Sequence, residues 1–274
     1  MNPDVFRPVA VPDKLRPFIR RILAADCEDP VEMSAVVRAT GYAYLSWIPR
    51  GRWQGFVNGA SMFDTSREGP VYVSGQVLES EVTIRMSGPM QKIVAELAPL
   101  GHWELLGIEG ASTVERAVDP EALNPAIAGA LRPLRGVKGT LTRDELCSMF
   151  VNCLETLADG CKATPTYMRP VIEEIEVAHG NVRLGELESR LGISERQFRR
   201  QFQRFVGMTP KTFCRTLQVN AALSALLARA ERKLPELAVE FGFADQSHMI
   251  RAFAEFLGTS PTRLLDDLEP VSYT

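Results

Sequence analysis

Histidine is scarce in this chain: His102, His179 and His248 are the only three in 274 residues. A metal-binding cupin or a zinc enzyme needs two or three clustered histidines with a carboxylate, so metal chemistry is not expected. Cysteine is sparse as well. Cys27, Cys147, Cys153, Cys161 and Cys214 contain no C-x-x-C pair, and an odd count without such a pair fits neither a disulfide framework nor a zinc site. They read as small buried residues kept reduced. A surplus of positive charge is missing too: 31 Lys and Arg stand against 34 Asp and Glu, a net charge of −3. Taken whole, the chain carries no nucleic-acid signature. No run approaches the ~18 apolar residues of a spanning helix. The start, MNPDVFRPVAVPDK, lacks the basic residues and apolar core of a signal peptide, so a cytoplasmic location without membrane attachment is expected. No glycine loop has a nucleotide-binding spacing. Ser61 and Ser74-Gly75-Gln76 lack the G-x-S-x-G frame of a hydrolase, and neither an enzyme nor a bound cofactor is expected.

What is there is the composition of an ordinary globular protein, 45% hydrophobic and 24% charged. At roughly 150 residues per domain, two domains are expected. The first part is rich in Gly and Pro and alternates apolar runs with turn signals: Tyr42–Ile48 before Pro49, Gln54–Val57 before Asn58-Gly59, Val71–Val73 before Ser74-Gly75, and Val82–Met86 before Gly88-Pro89. That spacing predicts short strands. Thr142 with Glu145 is a capping box, and Leu146, Met149, Phe150, Cys153, Leu154 and Leu157 make a helical stripe ending at Gly160. This stripe either covers the β-domain or pairs with a second copy, and a homodimer built on Leu146, Met149, Cys153, Leu154 and Leu157 is expected. Cys161–Thr166 reads as the linker between a domain of residues 1–160 and a helical domain of residues 166–274.

The helical domain repeats itself. Leu187, Leu191 and Gly192 recur as Leu237, Phe241 and Gly242, and Ser194, Phe202, Phe205, Gly207 and Pro210 recur as Asp245, Phe253, Phe256, Gly258 and Pro261. Two copies of a helix-turn-helix explain this, with a glycine turn and Ser194 or Asp245 as N-cap of each second helix. In the first copy Phe198, Phe202 and Phe205 fall on one face, while Arg196, Arg199, Arg200 and Gln203 cluster on the other at 100° per residue. Residues 194–215 hold six basic side chains against Glu195 alone. Arginine reads guanine O6 and N7 and neutralises phosphates, whereas the plain alternative is a solvated helix face. In the second copy Met249, Phe253 and Phe256 form the core face, leaving Gln246, Ser247, His248 and Arg251 toward DNA; glutamine suits adenine N6 and N7. Thr209-Pro210 starts a long helix to about Arg229, with Phe213, Leu217, Ala221 and Leu227 inward. Both reading helices then enter successive major grooves of double-stranded DNA.

The strings LGELESRLGISERQFRRQFQRFVGMTPKTFCRTLQVNAALSALL and LPELAVEFGFADQSHMIRAFAEFLGTSPTRLL resemble the DNA-binding domain of the AraC/XylS transcription regulators. The resemblance implies base-edge contacts from Arg196, Arg199 and Arg200 and from Gln246, Ser247 and Arg251. It also implies an effector-binding and dimerisation domain ahead of the reader. The expected fold is therefore α+β: a β-rich, cupin-like N-terminal domain, then an all-α domain with two helix-turn-helix units.

Two short motifs bear on the effector. Arg16 to Arg20 is R-x-x-x-R with Arg21 beside it, and Asp64 to Gly69 is D-x-S-x-x-G with Ser66 at its centre. In this order they resemble the ligand signature of PilZ domains, which implies that Arg16, Arg20, Arg21, Asp64, Ser66 and Gly69 converge on cyclic di-GMP. Arginines four apart can clasp a phosphate and a guanine face, and a carboxylate accepts from guanine N1 and N2. The alternatives are an exposed basic segment with an ordinary Asp-Ser-Gly turn, a sugar or aromatic metabolite near Trp47 and Trp53, or a protein partner. An alkyl-transfer enzyme with a cysteine nucleophile is the alternative of another class, and it needs an activated thiol.

Overall fold

The computed structural model describes residues 6–37, 39–78, 82–137, 141–228, 233–258 and 260–261. They fold as α+β: an antiparallel sheet of seven strands with flanking helices, then a run of helices. The strands are β1 (Phe6–Val9), β2 (Ile19–Val37), β3 (Tyr44–Val57), β4 (Ala60–Asp64), β5 (Val71–Ser74), β6 (Val82–Leu97) and β7 (Ala117–Val118). Their order is β1-β2-β6-β3-β5-β7, with β4 pairing β3. Between and after them lie α1 (Thr65–Glu68), α2 (Gly101–Leu106), α3 (Pro120–Leu123), α4 (Ala128–Arg135) and α5 (Arg143–Asp159). The remaining helices are α6 (Met168–Val177), α7 (Leu184–Leu191), α8 (Glu195–Val206), α9 (Pro210–Ala228), α10 (Leu234–Glu240) and α11 (Gln246–Leu257).

Several turn signals of the sheet are bulges instead. β3 runs unbroken through Pro49, and β6 runs through Gly88-Pro89. Between Trp47 and Arg50 the register against β6 shifts, from Ile93 to Gln91, so β3 carries one extra residue there. Proline lacks the N–H that a ladder needs, and a bulge is where a strand can hold one. Long bent strands thus replace the short ones expected.

The chain makes two compact units, one of Met1–Val37, Tyr42–Thr166 and Arg200–Met208, the other of Arg38–Gly41, Tyr167–Arg199 and Thr209–Thr274. In the first, the two sheet faces have separate cores because side chains alternate along a strand. Trp47, Ile93 and Leu45 face one core with Leu146, Phe150, Cys153, Leu154 and Leu157 of α5. Trp47 stacks on Phe150 at 6.3 Å and donates its indole N–H to the Leu134 carbonyl at 2.8 Å. The capping box of α5 is complete, Thr142 accepting from the Glu145 N–H and Glu145 from that of Thr142. The expected dimer face is corrected accordingly: Leu146, Cys153, Leu154 and Leu157 are buried within their own unit and Met149 packs against the same core. Covering Trp47 and Leu45 removes more apolar surface from water than leaving the stripe for a second copy. Ile48, Trp53, Phe63, Tyr72, Met86 and Met90 form the core of the other face.

In the second unit the glycine turns are as expected. Gly192 and Gly242 close α7 and α10 at φ +64° and +73°, a left-handed conformation that favours glycine. Val219, Ala222 and Leu226 of α9 pack with Leu237 of α10, Phe241 at its C-cap, and Met249 and Phe253 of α11. Leu226 is the inward residue at the end of α9, whereas Leu227 is half exposed. The expected end near Arg229 lies outside the described residues.

Candidate DNA interface and effector site

The first reading helix, α8, is sharply two-sided. Phe198 and Phe202 are fully buried and Phe205 nearly so. Arg196, Arg199 and Arg200 are exposed and Gln203 is partly exposed. Ser194 caps the helix by accepting from the Gln197 N–H at 3.2 Å. None of the three arginines is paired with a carboxylate among the described residues, while the neighbouring Arg204 pairs with Glu109 at 2.7 Å and lies over the Trp103 ring. Three unneutralised guanidinium groups within two turns repel one another. Such an arrangement is stabilised by an anion that covers them, and a phosphate backbone with guanine edges beneath it fits that need.

The second reading helix, α11, is capped by Asp245, which accepts from the His248 N–H at 2.7 Å. Gln246, Ser247 and Arg251 stand on its accessible face. His248 is placed differently from the expectation. Its Nε2 is 2.7 Å from Arg215 Nη2, its ring meets Phe243 edge to face, and Arg215 also lies over Phe243. Partial burial, then the cations Arg215 and Arg251, hold its pKa below the ordinary histidine value. The base contact expected of His248 is corrected to a buttress between α9 and α11, since its ring is taken up by Arg215, Phe243 and the Ala244 N–H. The link from Arg215 to residue 248 is tertiary, and no local pattern announces it.

The six residues of the effector motif do not come together. Arg16 pairs with Asp13 at 3.0 Å. Arg20 and Arg21 share one carboxylate: Glu96 accepts from Arg20 Nε at 3.1 Å and from Arg21 Nη2 at 2.7 Å, and Tyr44 Oη donates to it as well. Arg20 also covers the Tyr42 ring at 4.0 Å. Asp64 accepts from Arg52 at 2.6 Å, from Gln54 at 3.0 Å and from the Ser66 hydroxyl at 2.7 Å, and it caps α1 through the Ser66 N–H. Arg52, with help from Ser66 and Gln54, holds this carboxyl well below the usual carboxylate range. Gly69 ends α1 at φ +95°. On β3, Tyr44 faces Glu96 and Gln54 faces Asp64. Ten residues of extended chain separate the two ends, on the order of 30 Å along the strand at about 3.3 Å per residue. The clasp expected of Arg16, Arg20, Arg21, Asp64, Ser66 and Gly69 is therefore corrected: the arginine half and the Asp-Ser-Gly half occupy opposite ends of the sheet.

The two tryptophans also part company. Trp47 is a fully buried core residue under α5. Trp53 looks into the other core, where its Nε1 is buried without a hydrogen-bond partner among the described residues. Beside it is a residue the motif analysis passed over, Lys92, only 5% exposed. Its Nζ lies 3.4 Å from the Trp53 ring centroid and donates to Tyr72 Oη at 3.2 Å. Burial lowers its pKa to about 7 and raises that of Tyr72 to about 12. A parity signal existed, because Met86, Met90 and Lys92 share one side of β6 at period two.

Buried Cys147, Cys153 and Cys214 and buried His102 fit structural roles, whereas Cys27 is partly exposed and Cys161 exposed, which corrects the expectation that all five cysteines are buried. Burial pushes Cys153 up to about 11 and moves Cys147 upward, opposite to the thiolate character that an alkyl-transfer nucleophile needs. His102 is buried between the Ile108 carbonyl and the Thr113 hydroxyl, and burial lowers its pKa to about 4. No cluster of three or more metal-ligating side chains occurs among the described residues, and no helix among them is long and apolar enough to cross a membrane.

Residues 187–267 match a family model described as a helix-turn-helix domain. No curated protein matches the chain. Among solved structures, it is similar to ToxT from Vibrio cholerae at 10% identity and a TM-score of 0.45, over 91% of this chain and 98% of that one. A structure of unsaturated fatty acid bound ToxT from Vibrio cholerae strain SCE256 gives 12% identity and a TM-score of 0.46, over 92% and 98%. A probable AraC family transcriptional regulator from Rhodopseudomonas palustris CGA009 is 25% identical, with a TM-score of 0.34, over 39% of this chain and 100% of its own.

Proposed function

We propose that this chain is a cytoplasmic regulator of transcription of the AraC/XylS type. Residues 166–274 read specific sites on double-stranded DNA, and residues 1–160 bind a small effector that sets the affinity. The observation that carries the reading is the face of α8: three exposed arginines without carboxylate partners, back to back with three buried phenylalanines, after a capped glycine turn. Arg196, Arg199 and Arg200 contact base edges and phosphates, with Gln203 beside them, and Gln246, Ser247 and Arg251 do so from the second unit. The test is selection of an operator from random duplexes followed by footprinting of the wild type and of Arg199→Ala/Arg200→Ala. Protection lost in the double variant supports the reading, and an unchanged footprint refutes it.

For the effector, cyclic di-GMP is the nucleotide to test, and its binding requires that pairs within the fold open: Arg16 is held by Asp13, Arg20 and Arg21 by Glu96, and Asp64 by Arg52. Calorimetry of the full chain with cyclic di-GMP decides this finer reading. Heat that disappears in Arg20→Ala supports it, and absence of heat with the wild type removes this nucleotide while leaving DNA recognition untouched. By linkage, any true effector changes operator affinity by the factor that operator changes effector affinity. Assembly as a homodimer completes the proposal, on a face other than the buried stripe of α5, and sedimentation of the full chain measures it.

A further inference from the structure

The core between Trp53 and Tyr72 has donors and no charged acceptor. Lys92 is buried on β6 with an ammonium group that has three hydrogens to give. Within the described residues it has one oxygen to give them to, Tyr72 Oη at 3.2 Å, and two ring faces, that of Trp53 at 3.4 Å and, farther off, that of Tyr72 at 5.8 Å. No carboxylate pairs with it, which contrasts with Arg20, Arg21 and Arg52 in the same unit. Trp53 Nε1, also buried, has no acceptor among the described residues. Leaving a buried donor unsatisfied costs stability, and leaving a buried charge unpaired costs more. A site that holds both in one cluster lacks an anionic acceptor.

The surroundings define the rest of that guest. Ile48, Phe63, Met86 and Met90 wall the cluster, and Met62, partly buried, stands at its edge. Methionine is unbranched and adaptable, so these walls can re-pack around an apolar body. We infer that Lys92 and Trp53 form the anchor of a ligand site for an apolar monocarboxylate, the carboxylate seated between Lys92 Nζ and Trp53 Nε1 and its hydrocarbon body among the methionines. The inference rests on the reading of residues 1–160 as an effector domain, and it names the ligand class for that domain. Phosphodiester ligands fit this core poorly because only one cation serves it. Burial lowers the pKa of Lys92 to about 7. A bound carboxylate restores the ammonium and raises it.

The experiment uses the full chain with 4-phenylbutyrate as the probe and 4-phenylbutanol as its uncharged counterpart, read by calorimetry and by Trp fluorescence. The wild type is expected to bind the acid at least tenfold more tightly than the alcohol. Lys92→Met, which removes the charge and keeps the bulk, is expected to lose that preference, and Trp53→Phe to reduce it. Equal binding of acid and alcohol by the wild type, no binding of either, or an undiminished preference in Lys92→Met overturns the site. Should Lys92→Met fail to fold, Trp53→Phe and Tyr72→Phe answer the same question, since an unreduced preference for the acid in both overturns it. Operator affinity with and without the acid is measured separately. Acid binding through Lys92 without any change in operator affinity keeps the site and removes its role as effector site, whereas a failed site leaves the DNA reading as it was.

Discussion

Arg20, Arg21, Arg52 and Arg135 beside the β-sheet and Arg196, Arg199 and Arg200 on α8 look alike as residue types and differ in company. Arg20 and Arg21 lean on Glu96, Arg52 on Asp64, and Arg135 on Asp119 and Glu121. Arg196, Arg199 and Arg200 stand exposed, with no such partner among the described residues. A paired cation has its Coulomb energy satisfied inside the fold and contributes to architecture. An unpaired cluster raises the folded state's own electrostatic energy and has that strain relieved by an external polyanion. Motif counting sees neither condition. The R-x-x-x-R and D-x-S-x-x-G spacings are intact, yet Arg16 pairs with Asp13, Arg20 and Arg21 pair with Glu96 far along the chain, and Asp64 pairs with Arg52 on the neighbouring strand.

The comparison breaks most visibly on α8. Arg199→Ala/Arg200→Ala is expected to lower operator affinity by roughly 2–6 kcal/mol, about 1–3 kcal/mol per base-reading arginine. Its melting temperature should stay near that of the wild type, because exposed substitutions away from caps and cores shift stability by only about 0.5 kcal/mol. A stability loss comparable with the binding loss, measured by thermal unfolding, would mean that these arginines are structural after all.

On the paired side, Asp64→Ala is expected to cost about 1–2 kcal/mol of stability through the lost cap and its hydrogen bonds, with operator affinity unchanged. The folded pKa of Asp64 lies below its unfolded value, so its contribution is present above about pH 4 and is lost as pH falls through the folded value. Denaturant unfolding at pH 3 and pH 6 should therefore show a smaller gap between variant and wild type at the lower pH.

Lys92, buried without a carboxylate partner among the described residues, sharpens the contrast inside the sheet unit. Its folded pKa of about 7 lies below the ordinary lysine value of 10.5. The unfolded chain holds the extra proton between those values, so wild-type stability rises with pH across that window. Lys92→Met is expected to flatten that rise and to be more stable than the wild type near pH 7, as followed by thermal unfolding at pH 7 and pH 9.5. A steeper rise in the variant would contradict the assignment.

A smaller effect is expected from Gln246→Ala, about 1 kcal/mol or slightly more, confined to one base pair of the operator and without change in salt dependence. Competition binding with operators altered at single positions measures it.

Much of the reader was legible because its signals are local. The Gly192 turn, the Ser194 cap and the Phe198, Phe202 and Phe205 spacing lie within 14 residues, and local geometry decides them. The capping box of α5 was legible for the same reason. What faced the stripe of α5 was not, since Trp47 lies far back along the chain. The long β3 and β6 were obscured by Pro49 and Gly88-Pro89, which ordinarily end strands and here sit at or beside bulges. His248 was misplaced because Arg215, 33 residues away, decides its direction. The partners of Arg21 and Asp64 are tertiary facts of the same kind.

The most direct test of the α8 face is a salt series. Operator affinity of the wild type and of Arg196→Ala/Arg199→Ala/Arg200→Ala is measured from low to high salt, and log affinity is plotted against log salt concentration. If the three unpaired guanidinium groups each displace counterions from DNA, the variant's slope is shallower by about 3, close to 0.9 for each lost phosphate contact. Parallel lines of equal affinity would show that α8 does not face the DNA.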